Sequence, residues 1–290
     1  MRVLVTGSDG MLGRDLAAVL GKVHETVPFD KKRLDITDRE AVCEAISSVR
    51  PDVVINCAAY TNVDRAEDEK AAAFMVNGLG VQNLAVACKE LKARLCHIST
   101  DYVFSGRAER PYTPFDDASA VNAYGETKLA GERYILWLMQ EFYIIRTSWL
   151  YGLHGDNFVK TILRLSEDQD EIRVVSDQRG SPTWTVTLSE GIIRVIESGV
   201  FGIHHITDRT GGGISRFELA AEIIRLSGAS VRVVPILSGE YPTRAIRPPC
   251  SVLDTFYTEV STGFSPPDWR TSLERFIHTL RNHSDVSSSW

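Results

Sequence analysis

The segment Val3-Leu4-Val5-Thr6-Gly7-Ser8-Asp9-Gly10-Met11-Leu12-Gly13 decides the fold of this chain. It places a short apolar run, typical of a buried strand, directly before three glycines in G-x-x-G-x-x-G spacing. Leu12, Leu16 and Leu20 then recur at helical spacing. Glycines between a strand and a helix permit a tight turn and let the backbone approach a phosphate, which the helix N-terminus stabilises through its N–H groups. The segment therefore predicts a dinucleotide-binding βαβ unit.

Strand and helix signals keep alternating through the first half of the chain, which favours a parallel sheet. Apolar runs at residues 53–59, 95–100 and 142–146 are typical of strands buried on both faces. Residues 68–91 carry apolar side chains at helical spacing and are predicted to form one long helix. Six strand–helix units without a linker predict a doubly wound, Rossmann-like α/β domain over residues 1–150.

The pattern becomes less regular after Trp149. We expect segments near residues 185–206 to complete the sheet. Residues 151–290 are expected to form mainly a smaller C-terminal, substrate-binding lobe. The last residues, Ser287-Ser288-Ser289-Trp290, are predicted to be a frayed tail.

Composition narrows the class of protein. The net charge of −6 argues against a general nucleic-acid binder, which needs clustered Lys and Arg. We see no leader sequence before the glycine turn and no run of roughly 20 apolar residues, so neither secretion nor a membrane span is expected. Five cysteines without Cys-x-x-Cys spacing indicate reduced thiols rather than disulfides or metal ligands. We therefore predict a cytoplasmic protein.

Three residues further along the chain carry the chemistry: Thr100, Tyr124 and Lys128. Tyr124 and Lys128 are four apart, so on a helix they share one face. A tyrosine has an ordinary pKa near 10, and a nearby ammonium group favours its ionised form. Thr100 ends a predicted strand, where open α/β sheets place their ligands, and its hydroxyl can hold a substrate oxygen. With the glycine turn, this arrangement predicts nucleotide-linked reduction of a carbonyl group.

The end of the second predicted strand gives conflicting signals about the cofactor. Asp30 is placed to bond the ribose hydroxyls of NADH, whereas Lys31 and Lys32 could bind the 2′-phosphate of NADPH. The choice between NADPH and NADH therefore stays open at this point.

Six segments carry a resemblance to known proteins: Asn56–Asp64 (NCAAYTNVD), Ser99–Phe104 (STDYVF), Tyr124–Glu132 (YGETKLAGE), Arg146–Gly152 (RTSWLYG), Asp177–Thr183 (DQRGSPT) and Arg247-Pro248. At these residues the chain resembles the extended short-chain dehydrogenase/reductase superfamily and, more narrowly, the dTDP-4-dehydrorhamnose reductase family. The resemblance covers nearly the whole chain. It implies an oxidoreductase that uses NADPH or NADH to reduce the C4 ketone of dTDP-4-dehydrorhamnose to dTDP-L-rhamnose, a precursor of cell-wall polysaccharide.

The resemblance also implies roles for individual residues. Thr100, Tyr124 and Lys128 would form the catalytic trio. Together with the glycine turn, the expected cofactor-binding residues are Gly7, Gly10, Met11, Leu12, Gly13, Asp30, Lys31, Asp35, Ile36, Ala58, Ala59, Tyr60, Asn77, Tyr124 and Lys128. The expected residues for the dTDP-sugar substrate are Thr61, Val63, Thr100, Asp101, Tyr102, Trp149 and Arg247.

Alternatives to this function remain open. The same chemistry could act on another 4-keto nucleotide sugar or give the C4 epimer. A related branch serves as a non-catalytic, NADP-binding regulatory subunit of methionine adenosyltransferase. Some family members form homodimers around magnesium held by glutamates, but the matching positions here include Asp15 and the segment beginning at Trp184. That carboxylate cluster is incomplete, so no metal is expected, and a homodimer is left open.

Overall fold

The computed structural model describes residues 1–287 and is built on a six-stranded, wholly parallel sheet. Of the predicted tail, residues 288–290 lie outside the described range, and Ser287 is the last residue of a helix. The mixed α/β fold and its parallel sheet confirm the predicted fold class.

The strands are numbered in the order in which they occur along the chain. They are β1 (Arg2–Thr6), β2 (Glu25–Phe29), β3 (Val53–Asn56), β4 (Arg94–Thr100), β5 (Phe142–Thr147), β6 (Leu150–Tyr151), β7 (Glu171–Val175), β8 (Arg179–Gly180), β9 (Thr183–Trp184), β10 (Gly202–His205), β11 (Ile214–Ser215) and β12 (Arg232–Ile236). The α-helices are α1 (Met11–Leu20), α2 (Arg39–Val49), α3 (Lys70–Phe74), α4 (Val81–Leu91), α5 (Ala123–Leu138), α6 (Phe158–Asp168), α7 (Thr185–Ser198), α8 (Arg216–Ser227), α9 (Phe256–Thr262) and α10 (Trp269–Ser287).

The main sheet has the strand order β2-β1-β3-β4-β5-β10. The chain therefore builds outward from β1 to β2 and then returns to the other side of β1 with β3. In open parallel sheets such a reversal leaves a crevice at the carboxyl ends of the two strands, where ligands bind. Residues 1–150 contribute five strands of this sheet, not six as predicted from the sequence, and Gly202–His205 supplies the sixth.

Alternation along the strands creates two cores, because successive side chains of a strand point to opposite faces of the sheet. Leu4, Val54, Leu95 and Ile144 face one cluster of buried side chains with α2, α4 and α5. Val3, Val5, Val53, Ile55 and Ile145 face the other cluster with α1 and α7. The helices thus cover both faces, as parallel sheets require.

A third core lies in the second half of the chain. The parallel pair β7–β12 packs with α6, α8 and α10 around buried Trp269, Leu273 and Phe276. The loops that leave this lobe lie close to the carboxyl ends of β4 and β5, since Asn122, which caps α5, donates to the Ile246 carbonyl at 2.8 Å.

The helix expected over residues 68–91 is interrupted. It consists of α3, a π-helical turn at Met75–Gly80, and α4. Such turns are rare and frequently occur at functional sites. The sequence analysis found no run of roughly 20 apolar residues. By length and composition alone, Lys70–Leu91 is nevertheless, within residues 1–287, the one helical segment that could cross a membrane. Half of it is buried, and α4 packs between α2 and α5.

A buried ion pair joins α5 to the sheet. Glu132 accepts two hydrogen bonds from Arg146 of β5, at 3.0 and 2.6 Å, and a third from the Ser99 hydroxyl of β4 at 2.5 Å. Both charged side chains are almost wholly buried. The Arg146 guanidinium also lies over the Phe104 ring, 4.9 Å from its centroid. These contacts fix the rotation and height of α5 against β4 and β5.

Replacing Glu132 with Gln is expected to destabilise the protein strongly. The substitution leaves the Arg146 charge buried without a counter-charge, which typically costs about 3–5 kcal/mol. The matched control is Glu126→Gln on the exposed side of the same helix, with an expected change below about 1 kcal/mol. Urea unfolding of the two variants measures the difference, and equal stability would show that the pair does not hold α5 in place.

Candidate active site

The carboxyl ends of the central strands open onto a cavity of about 440 Å³. Thr100, Tyr124 and Lys128 all line it, together with the turn at Gly10–Gly13. Thr100 ends β4, and α5 supplies the other two side chains from adjacent turns of one face. The structure therefore brings together the three residues that the sequence singles out for chemistry.

Thr100 belongs to a buried polar network. Its hydroxyl donates to Asp101 at 3.0 Å and accepts from the Tyr102 backbone N–H at 3.1 Å. The other Asp101 oxygen accepts from the Ser251 hydroxyl at 2.5 Å. Burial raises the pKa of Asp101 to about 6, against the opposing hydrogen bonds from Ser251 and Thr100. Asp101 thus ties the strand end to the second half of the chain.

The environment of Tyr124 differs from the expectation that Lys128 lowers its pKa. Burial raises the pKa of Tyr124 above its ordinary value, and the charge of Asp101 adds to the increase, whereas a hydrogen bond with Thr100 opposes it. Tyr124 is therefore a protonated phenol in this state, which is the form that can donate a proton. Its ring packs edge-on against Tyr102, with centroids 5.9 Å apart.

Lys128 is directed into the protein. Its Nζ donates to the Ile98 carbonyl at 2.5 Å and lies 3.2 Å from His97 Nε2. Burial lowers the pKa of Lys128 to about 8, although Glu132 and Cys57 oppose the decrease. The same burial, helped by the charge of Lys128, lowers the pKa of His97 well below its usual range. Lys128 therefore interacts with β4 rather than acting on Tyr124 as a nearby ammonium.

A second cavity, of about 280 Å³, lies over the turn between β1 and α1. Eight of the residues expected to bind the cofactor line it: Gly7, Gly10, Lys31, Asp35, Ile36, Ala58, Ala59 and Tyr60. Gly10 and Ala59 line both cavities, so the two spaces adjoin at the glycine turn. A dinucleotide is elongated, and this pair of adjoining cavities has the corresponding form.

The three glycines play different parts in the turn. Gly7 has a φ of +63°, and a Cβ there would come within 2.6 Å of the Ala58 nitrogen. A Cβ on Gly13 would overlap the Gly7 carbonyl oxygen. At Gly10 the nearest atom would be the Gly7 carbonyl oxygen at 3.3 Å, so a side chain there would occupy the cavity instead.

The N-terminus of α1 fits a pyrophosphate. Gly10 is its N-cap and provides no side-chain hydrogen bond to the first turn. Met11, Leu12 and Gly13 line the cavity. An uncapped helix start offers N–H groups and a partial positive charge to an anion. The residues present therefore suit the phosphates of NADPH or NADH.

Asn77 lies in the π-helical turn and makes hydrogen bonds to Tyr60 and to Thr127 of α5. Its side chain accepts from the Tyr60 N–H at 2.9 Å, donates to the Tyr60 carbonyl at 3.0 Å, and donates to the Thr127 hydroxyl at 3.1 Å. Asn77 is wholly buried and lines neither cavity. It holds the segment Ala58–Tyr60, which lines the cofactor cavity, against α5.

Asp30 and Lys31 follow β2 directly, but their side chains have different surroundings. The Asp30 carboxylate accepts from the Arg33 backbone N–H at 2.9 Å and does not line the cavity, whereas Lys31 does line it. The Arg33 side chain lies over Phe29 and donates to the Pro28 carbonyl. Of the two residues that gave opposed indications of cofactor choice, Lys31 lines the smaller cavity and Asp30 does not.

Trp149 lines the larger cavity in a strained conformation, with a φ of +45°. The Arg216 guanidinium lies 3.6 Å from the centre of its indole ring. A Cβ on Gly180 would overlap the same ring, so the Gly180 backbone packs directly against it. These contacts hold the indole in one orientation at the cavity wall.

The remaining residues expected at the substrate occupy varied positions. Thr61 and Asp101 line the larger cavity, whereas Val63, Tyr102 and Arg247 line neither cavity. Arg247 pairs with Asp64 at 2.7 Å. Tyr102 bonds with the Arg216 side chain. Burial lowers the pKa of Arg216, and the nearby charge of Arg247 adds to the decrease.

The sequence analysis did not assign several residues to the site that the structure places there. Cys57, Ser99, Thr147, Ser148 and Asp156 line the larger cavity. His97 and Arg216 were also missed, although they contact Lys128 and Trp149. The strand-end position of Ser99, next to Thr100, was a usable signal. Asp156 lies in an irregular loop and had none.

The position matched to a family metal ligand has other partners. Asp15 accepts a hydrogen bond from Thr185, and its second oxygen lies 3.6 Å from His154 Nε2. Within residues 1–287, His, Cys, Asp and Glu side chains form no group of three or more that could hold a metal ion. That the chain binds no metal stays a prediction.

Comparison with known proteins identifies relatives over nearly the whole chain. The family model described as RmlD substrate binding domain matches residues 1–282. The chain is 43% identical over 288 residues to the dTDP-4-dehydrorhamnose reductase of Streptomyces griseus, covering 96% of this chain and 94% of that one. It is also 43% identical over 255 residues to a dTDP-4-keto-6-deoxy-D-glucose reductase of Streptomyces niveus, covering 87% and 88%.

A solved structure agrees with the fold and with the cofactor class. The dTDP-4-dehydrorhamnose reductase of Bacillus anthracis in complex with NADP superposes with a TM-score of 0.92 at 40% identity, covering 96% of this chain and 99% of that one.

Substituting Gly10 and Gly13 separately should distinguish binding from folding. Gly10→Val places a branched side chain in the cavity, so the protein is expected to fold but to bind NADPH at least about tenfold more weakly, a loss of ~1.4 kcal/mol. Gly13→Val overlaps the backbone of the turn and is expected to lower the thermal midpoint. Fluorescence titration and thermal unfolding measure the two effects. Unchanged NADPH affinity in Gly10→Val would exclude this turn as the phosphate site.

Proposed function

The chain belongs to the RmlD substrate binding domain family, and we propose that it is an NAD(P)H-dependent dTDP-4-dehydrorhamnose reductase. It reduces the C4 ketone of dTDP-4-dehydro-6-deoxy-L-mannose to the alcohol of dTDP-L-rhamnose. The observation that carries this conclusion is the convergence of Thr100, Tyr124 and Lys128 on one cavity that adjoins the glycine turn.

The residues of the chain act around the ketone oxygen. Bound NADPH or NADH supplies a hydride. Tyr124, held as a neutral phenol by its burial, donates the proton that the developing alkoxide needs. Thr100 turns its hydroxyl from Asp101 to the substrate oxygen. Lys128 stabilises the tyrosinate that remains once its protonated side chain turns from the Ile98 carbonyl toward it, since an ammonium group nearby favours the ionised form.

The second half of the chain supplies the substrate side of the cavity. We assign residues 1–150 with β10 and α7 to the dinucleotide-binding part and the remainder after residue 150 mainly to substrate binding. Arg216 and Arg247, near Tyr102, are suited to the diphosphate of a dTDP-sugar, because guanidinium groups bind phosphates with paired donors. Trp149 and Thr61 border the sugar.

A second candidate substrate has a specific observation in its favour. The relative from Streptomyces niveus, which is also 43% identical although over a shorter stretch, is named a dTDP-4-keto-6-deoxy-D-glucose reductase. Comparing kcat/KM for the two keto sugars decides between them. A purely regulatory, NADP-binding role is disfavoured because such a role does not need the proton donor Tyr124.

The cellular setting follows from the reaction. A dTDP-sugar is a soluble precursor of polysaccharide, so we assign the enzyme to the cytoplasm and to the supply of cell-wall polysaccharide. Nucleic acid and membrane are not expected as partners, and a homodimer remains open.

The Tyr124→Phe variant tests the proton donor. It removes the hydroxyl and keeps the ring, so kcat is expected to fall by about 10²–10⁴ while NADPH affinity changes little. Tyr134→Phe, on the same helix but partly exposed beside Trp137, is the control and should retain wild-type turnover. Steady-state NADPH oxidation with dTDP-4-dehydrorhamnose measures both variants. Turnover near wild type in Tyr124→Phe would remove Tyr124 from the mechanism.

The two neighbouring lysines provide a matched test of cofactor choice. Lys31 lines the cavity and is expected to attract the 2′-phosphate, so Lys31→Ala should lower kcat/KM for NADPH relative to NADH by about tenfold, or ~1.4 kcal/mol. Lys32→Ala should leave the ratio unchanged. The effect should shrink at 1 M salt, where the Debye length is about 3 Å. Equal ratios in both variants would contradict a phosphate contact at Lys31.

A further inference from the structure

A row of buried polar side chains runs across the sheet to Lys128. Thr6 of β1, Asn56 of β3 and His97 of β4 are register partners on neighbouring strands. The Thr6 hydroxyl donates to Asn56 Oδ1 at 2.7 Å, Asn56 Nδ2 lies 3.0 Å from His97 Nδ1, and His97 Nε2 lies 3.2 Å from Lys128 Nζ. These four residues are at most 2% exposed, so their polar atoms need hydrogen-bond partners within the protein.

The orientation of the Asn56 amide is fixed by a backbone group. The Ala58 N–H donates to Asn56 Oδ1 at 3.1 Å. A backbone N–H can only donate, so the amide atom that faces it must be the oxygen. The atom that faces His97 is therefore the amide nitrogen, which can only donate. It follows that His97 Nδ1 carries no proton and accepts this hydrogen bond.

The tautomer of His97 then determines what it presents to Lys128. A neutral imidazole has one N–H, and since Nδ1 is unprotonated, the proton is on Nε2. Burial keeps His97 neutral. An N–H directed at Lys128 Nζ needs a lone pair as acceptor, and an ammonium has none. Only the neutral amine of Lys128 can accept from His97 while donating to the Ile98 carbonyl.

We propose that His97 is a positioning residue that favours the neutral amine of Lys128, through an Nε2–H hydrogen bond whose direction is fixed by Asn56. The proposal rests on the proposed function only for its kinetic consequence. The ionisable groups that face Lys128 are His97 from β4, Cys57 after β3, and Glu132 on the next turn of α5. Burial disfavours the ammonium, whereas Glu132 and Cys57 favour it. The His97 N–H adds to the effect of burial, because it needs a lone pair on Nζ.

The tautomer can be measured directly without substrate. Protein labelled with ¹⁵N-histidine is studied in long-range ¹H–¹⁵N correlation spectra between pH 6 and 9, with His97 assigned from its absence in His97→Gln. The expected result is a neutral ring with the proton on Nε2 at every pH. A proton on Nδ1, or a charged ring, would overturn the proposal. Because no keto sugar is used, this result does not depend on the proposed substrate.

Asn56→Asp is the complementary variant. A carboxylate in the place of the amide can only accept, so it should draw the His97 proton to Nδ1 and leave Nε2 free to accept from an ammonium. The same spectra should then show a proton on Nδ1. Retention of the wild-type tautomer in Asn56→Asp would contradict the assigned role of Asn56.

The pH profile separates positioning from a purely structural role. The basic limb of kcat/KM reports ionisations of the free enzyme, and reduction needs protonated Lys128. In His97→Leu the donor is lost, so the limb should move to higher pH by about one unit, the scale of one hydrogen bond. His97→Gln keeps an amide donor and should stay within about 0.3 unit of wild type. A lower plateau in His97→Leu without movement of the limb would overturn the proposal.

Discussion

The buried ion pair between Glu132 and Arg146 is the constraint on which the site depends. Tyr124, Lys128 and Glu132 are spaced four residues apart, so they form one row along α5. Fixing Glu132 to β4 and β5 therefore fixes where Tyr124 and Lys128 meet the end of β4. This buried pair of charges is stabilised because Ser99 and Arg146 satisfy the Glu132 oxygens.

The site also joins two parts of the chain that are distant in sequence. Ser251 bonds Asp101 beside Thr100, and the Ile246 carbonyl accepts from Asn122 at the start of α5. Both contacts come from the segment that contains Arg247. The segment that contains Arg247 is therefore connected by hydrogen bonds to Asp101 and to the start of α5, next to the residues that carry the chemistry.

Sequence patterns predicted those parts of the molecule that depend on local periodicity or spacing. The parallel sheet, the glycine turn and the placing of Thr100, Tyr124 and Lys128 at one cavity belong to this class. The π-helical turn was not predictable from local periodicity, and its residue Asn77 bonds to Tyr60, 17 residues away in the chain. Likewise His97 occupies a strand position where an apolar residue is usual, and only cross-strand register shows that it meets Lys128. The direction of Lys128, toward β4, also depends on tertiary contacts.

The central claim is that this cavity reduces the C4 ketone of a dTDP-sugar. The most direct measurement is NMR of the product formed when the enzyme consumes NADPH in the presence of dTDP-4-dehydrorhamnose. The account predicts dTDP-L-rhamnose in a one-to-one ratio to the NADPH oxidised. Absence of NADPH oxidation, or formation of the C4 epimer as the product, would contradict it.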